Sequence, residues 1–87
     1  MTIVNEKEIA KMKTMLIDYL KITFERAEWY AKTYQEIEVY QHQAFGAVQF
    51  YNTLDESFDV SGEDRAYINQ LWETYRQKYW KLMMEKA

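Results

Sequence analysis

From Ile9 to Tyr51 the apolar residues keep a seven-residue register that never slips. Ile9, Leu16, Tyr30, Ile37, Ala44 and Tyr51 hold one seam position, Leu20, Ala27, Tyr34 and Val48 hold the other, and only Lys13, Thr23 and Gln41 interrupt the pattern. A 3.5-residue spacing sustained over this length favours one gently supercoiled helix over several unrelated ones. The chain contains no proline and only two glycines, so the stretch has few residues able to stop a helix. Eight tyrosines, three tryptophans, four phenylalanines and five methionines describe an aromatic helical interior rather than turn-rich β structure. The expected class is all-α.

Local signals set the expected boundaries. Asn5 followed by Glu8 has capping-box spacing and starts a helix near Glu6. The run Asn52, Thr53, Asp55, Glu56, Ser57, Phe58, Asp59, Val60, Ser61, Gly62 reads as a loop, because short polar side chains compete for backbone hydrogen bonds. Ser61 with Asp64 then opens a last helix over about 62–86, with Glu63 and Asp64 at the positive end of its dipole. Thr33 with Glu36 is a second capping-box pattern, so the first helix, about 6–53, either runs through or breaks near residue 33. On the last helix Ile68, Leu71, Trp72, Tyr75, Tyr79, Leu82 and Met83 share one face, with Trp80 and Met84 outside it.

A continuous first helix would be about 70 Å long and its antiparallel partner about 36 Å, leaving half of the seam without cover. One 87-residue domain, 1–87, is also small for a complete core. The expectation is therefore a bundle completed by self-association, with a monomeric three-helix bundle as the alternative. Met15, Ile22 and Trp29 repeat every seven residues beside the main seam and widen the apolar face beyond what one partner helix covers. Gly46, in QAFGAVQFY, lies with Val39 and Phe50 on the side away from Ala44, Val48 and Tyr51. A helical glycine costs about 1 kcal/mol against alanine, so it suggests a close approach there. Met15, Ile22, Trp29, Gly46 and Phe50 are the candidate self-association residues; Trp80 and Met84 are candidate apolar contacts to another partner.

Charge is unevenly placed. Residues 1–32 carry +1, residues 33–64 carry −7 with no Lys or Arg, and residues 65–87 carry +3, summing to −3. An acidic block of this kind repels nucleic acid and attracts a basic protein surface. Its members, Glu36, Glu38, Asp55, Glu56, Asp59, Glu63 and Asp64, are the candidate acidic contact residues.

Catalytic and metal patterns are missing from the sequence. There is no cysteine, the single histidine His42 has one carboxylate, Glu38, a turn before it, and zinc or di-iron sites need more ligands than that. Asp55, Ser57, Asp59 and Ser61 alternate as in a calcium loop, but Val60 stands where its glycine belongs and Ala66 where its bidentate glutamate belongs. Glu25 and Glu28 lie on a polar helix face, and no glycine-rich phosphate loop occurs. Arg76, Lys78, Lys81 and Lys86 near Tyr79 and Trp80 could serve base stacking, yet the overall charge opposes it and most of the rings fall on core stripes. No enzyme activity, cofactor or direct nucleic-acid contact is expected. The start, MTIVNEKEIAKMK, has charges where a signal peptide has an apolar core, and no stretch approaches 18 apolar residues. A soluble cytoplasmic protein without membrane contact is expected.

The stretch Gln43-Ala44-Phe45-Gly46-Ala47-Val48-Gln49-Phe50, followed by acidic residues and Leu71-Trp72, resembles small uncharacterised helical proteins of bacterial mobile elements and phages. Chains of this kind are similar in type to anti-CRISPR inhibitors. The resemblance implies a host protein as partner, a nuclease effector complex being the specific case, with the acidic residues facing a basic channel that ordinarily holds nucleic acid. The alternative is a structural or assembly protein, such as a phage morphogenesis or scaffolding factor, acting through self-association.

Overall fold

The computed structural model describes residues 6–58 and 62–86 and places them in three α-helices of 25 residues each: α1, Glu6–Tyr30; α2, Tyr34–Phe58; and α3, Gly62–Lys86. No strand occurs among the described residues. Each helix is about 37 Å long, and the three lie side by side in a rod of 48 × 19 × 16 Å. Lys13 near the start of α1 bonds Asp64 near the start of α3, while Asn52 late in α2 bonds Asn69 early in α3. The order is thus up, down, up.

The starts of α1 and α3 agree with the sequence reading; Asn5 and Ser61, the expected caps, lie outside the described residues. The continuous helix over about 6–53 does not form. The chain breaks after Tyr30, and the Thr33–Glu36 capping pattern is what breaks it. Thr33 Oγ1 accepts the Glu36 N–H at 3.2 Å, and Glu36 Oε2 reaches back to accept the Lys32 N–H at 2.7 Å. Two backbone donors at the start of a helix are satisfied in this way without glycine or proline. The Ala31 N–H still bonds the Ala27 carbonyl at 3.1 Å, so the helical path of α1 persists to the edge of the turn.

The other correction concerns the end of α2, which runs to Phe58 rather than stopping near 53. Thr53 Oγ1 donates to the Gln49 carbonyl one turn back at 2.9 Å, and the Asn52 amide is used across the bundle on Asn69 at 3.0 Å. The Thr53 hydroxyl shares a carbonyl one turn back, an arrangement a helix tolerates, and the Asn52 amide nitrogen is used on another helix, so neither side chain ends α2. Most of the expected acidic loop is helix, leaving only residues 59–61, which lie outside the described residues.

Folding α2 back on α1 pairs the two halves of the heptad seam with each other. Leu16, Leu20, Thr23 and Ala27 of α1 are buried against Ile37, Ala44, Val48 and Tyr51 of α2. Helix α3 closes the core with Ile68, Trp72, Tyr79, Leu82 and Met83, while Leu71 and Tyr75 pack partly buried at its margin, so the expected face is the observed one. Each fully buried Leu, Ile, Val or Met side chain contributes roughly 1.5–3 kcal/mol.

A chain of rings crosses all three helices. Phe45 of α2 meets Trp72 edge-on at 5.5 Å, Trp72 lies 6.4 Å from Tyr79, and Tyr79 meets Phe24 of α1 edge-on at 5.0 Å. Such pairs add about 0.5–1.5 kcal/mol each beyond area burial. The Tyr79 side chain is fully buried, its hydroxyl has no hydrogen-bond partner among the described residues, and burial pushes the phenol well above its ordinary value.

Candidate protein-interaction surface

Helix α1 touches both other helices, but not through its second apolar line. Leu16, Leu20, Thr23 and Ala27 fill the core, and Phe24 reaches α3. Met15, Ile22 and Trp29 remain outside, with Trp29 the most exposed large apolar residue described, at 83%. Successive heptad positions drift only about 20° around a helix, so the three side chains form one line.

The seam between α1 and α2 is open on this side. A groove of about 310 Å³ lies there, lined by Met12, Met15, Leu16, Tyr19, Ala47, Phe50 and Tyr51, without a charged residue among them. Met15 and Phe50, 60% and 67% exposed, stand on opposite walls. Further along α1 a second depression is lined by Ile22, Glu25, Arg26, Trp29 and Tyr30. Met15, Ile22 and Trp29 thus make an apolar strip along the α1 side of the seam, bordered by Glu25 and Arg26 in its second half.

Of the residues singled out for self-association, the structure brings Met15 and Phe50 into one groove, with Ile22 and Trp29 continuing its line. Gly46 is different. A Cβ built on it would have no neighbour within 4 Å, so no described residue of the protomer makes the close approach that a helical glycine suggested. Met12, Tyr19 and Ala47 line the groove without having been singled out. Met12 and Tyr19 are the helical neighbours of Met15 three before and four after, a spacing that would have flagged them.

The acidic residues do not form one face. Glu36 is held by the α2 cap and the Glu38 carboxylate accepts a hydrogen bond from the Tyr34 hydroxyl, holding that phenol above its ordinary value. Both lie at the end of the bundle where α1 gives way to α2. Asp55 and Glu56, on the last turns of α2, and Glu63 and Asp64, on the first turn of α3, lie at the other end, about 25 Å away. Asp64 is paired with Lys13 at 2.7 Å, a bond that also raises the lysine pKa. Asp59 lies outside the described residues.

Trp80 and Met84 are exposed as expected, but on another side of the molecule. Trp80 borders a depression with Gln41, Arg76, Gln77 and Lys81 on the α2/α3 side, whose lining carries amide and charged groups that the α1/α2 groove lacks. Arg76 is bound to Glu73, and Lys78 lies over the Phe24 and Tyr75 rings at 5.9 and 5.2 Å, so these cations are partly occupied within the protein. His42 is exposed, and no group of three or more His, Cys, Asp or Glu side chains able to hold a metal ion occurs among the described residues. No described helix is long and apolar enough to cross a membrane.

No protein-family model matches the chain, and no curated protein or solved structure matches it either.

Proposed function

We propose that the protein is a non-enzymatic interaction module that binds another protein through the apolar strip on the α1/α2 seam. The groove between Met15 and Phe50 carries the reading. Large contiguous apolar patches are rare on monomeric soluble proteins, and those present commonly mark contact sites. The strip joins this groove to an exposed tryptophan, and both methionine and aromatic side chains are favoured at binding surfaces.

Inhibition of a host nuclease complex is the specific form that the sequence resemblance suggests. Its acidic residues are weak support, because Glu36 and Asp64 already serve the fold and the other described ones divide between two ends of the bundle. The strip serves an assembly role as readily, so the proposal is stated for protein binding as such.

The test is affinity capture from host lysate with tagged wild type and with Phe50→Glu, whose exposed position leaves the core untouched. A protein retained in stoichiometric amount by the wild type and lost from the variant, an untagged copy of the chain expressed in that host included, supports the strip. Equal recovery by both places binding elsewhere and defeats the proposal.

A further inference from the structure

The strip has a hollow at one end and a projecting ring at the other. The hollow is the 310 Å³ groove walled by Met12, Met15, Tyr19 and Phe50. Trp29 stands farther along the same line of α1, about 21 Å from Met15. Ile22 lies midway, seven residues from each.

We infer that the occupant of the strip is a second copy of the chain, seated about a two-fold axis near Ile22 so that Trp29 of each protomer enters the hollow of the other. The inference rests on the reading of the strip as a protein-binding surface and names its partner. A two-fold interface uses one patch twice, so a knob and a hole must lie equally far from the axis on antiparallel elements. Met15 and Trp29 meet that condition about Ile22.

Volume agrees with this seating. A dry apolar cavity of about 150 Å³ accepts a benzene ring, and the groove here, at 310 Å³, has room for the two fused rings of an indole. Area agrees as well. Taking about 150–250 Å² for each large side chain, the exposed parts of Trp29, Tyr19, Phe50, Met15 and Ile22 offer roughly 600 Å² per protomer, at the lower end of the range around ~800 Å² per partner of a standard interface. Charge does not oppose it: Asp18 and Arg26 stand four positions either side of Ile22, so the antiparallel register sets unlike charges at the same height.

Sedimentation velocity on the full chain over a concentration series tests the inference, with Trp29→Glu and Met15→Lys as strip variants and Trp80→Glu as a control on the α2/α3 side. Wild type and Trp80→Glu should reach twice the 10.7 kDa of one chain and dissociate on dilution. Both strip variants should remain at the mass of one chain with unchanged helical circular dichroism, which two independent exposed positions make a fair comparison. A wild type that stays monomeric up to roughly 100 µM, two decades above a micromolar Kd, overturns the second copy as occupant; the broader binding proposal then stands or falls on the Phe50→Glu capture. A dimer that persists in both strip variants overturns the inference too, since its interface lies elsewhere.

Discussion

Replacing Tyr79 by phenylalanine should make the protein more stable. The ring sits at the centre of the bundle, fully buried, 5.0 Å from Phe24 and 6.4 Å from Trp72, and those contacts survive in the variant. Only the hydroxyl is lost, and it has no hydrogen-bond partner among the described residues. A buried polar group without a partner costs about 1–3 kcal/mol, whereas an oxygen-sized void costs less than a deleted methyl group. A net gain of about 1 kcal/mol follows, equivalent to about 4–8 °C in Tm for a domain of this size. Thermal and urea melts followed by helical circular dichroism measure it, and an unchanged urea slope would show that the unfolded state is not altered. The pH dependence supplies a second reading of the same group. Burial raises the folded phenol above its ordinary 10.0, so the neutral form is favoured by folding. That contribution is complete below pH 10.0 and is lost as pH rises, because the unfolded chain ionises first. The margin of Tyr79→Phe over wild type should therefore widen above pH 10.0. Loss of 1 kcal/mol or more at neutral pH would refute the reasoning, since it would mean that the hydroxyl is hydrogen-bonded in solution.

Other substitutions probe separate parts of the molecule. Gly46→Ala, with open space for its Cβ, should stabilise the chain by up to about 1 kcal/mol in a chemical melt; destabilisation would reveal a close neighbour at that position. Thr33→Ala removes the α2 cap and should cost about 0.5–2 kcal/mol, and a variant as stable as wild type would show that the cap does not hold the turn. Leu20→Ala, fully buried at the α1 seam, should cost about 2–5 kcal/mol by the same melts, with a cost under 1 kcal/mol contradicting the packing. Reversing Asp55, Glu56 and Asp59 to lysine should leave capture of a strip-bound partner intact, and its loss would restore the acidic residues as the contact surface.

The core faces could be read from the chain because their periods were clean. All seven apolar residues assigned to the α3 face are buried or partly buried. The break between α1 and α2 was hidden by the same regularity, since Tyr30 and Ile37 keep their seven-residue spacing across the turn and Ala31-Lys32-Thr33 contains no glycine or proline. Only the Thr33–Glu36 pair signalled it, and its outcome depends on whether an antiparallel neighbour covers the seam better than a continuous helix does. The end of α2 lies beyond the expected one because the Thr53 hydroxyl donates to the Gln49 carbonyl one turn back and the Asn52 amide nitrogen donates across the bundle to Asn69, so neither side chain caps the helix at that point. For the strip, Met15, Ile22 and Trp29 are visible in the sequence as a second apolar line and Phe50 as a neighbour of Gly46 and Val39 on a second face. Their meeting with Met12, Tyr19 and Ala47 was not, because the hairpin that brings the first half of α1 beside the last half of α2 exists only once the break is known.

The three-residue turn at Ala31-Lys32-Thr33 also decides what kind of reaction folding is. A continuous helix could cover its seam only by colliding with another molecule, so its folding would follow mass action and fail on dilution. Turning the chain back supplies α2 as a tethered neighbour, at an effective concentration in the millimolar range set by the linker rather than by the cell. The core thus assembles in a unimolecular step, independent of how much protein is made. On the proposed reading of the strip only its pairing senses abundance, so folding and recognition would answer to different concentrations.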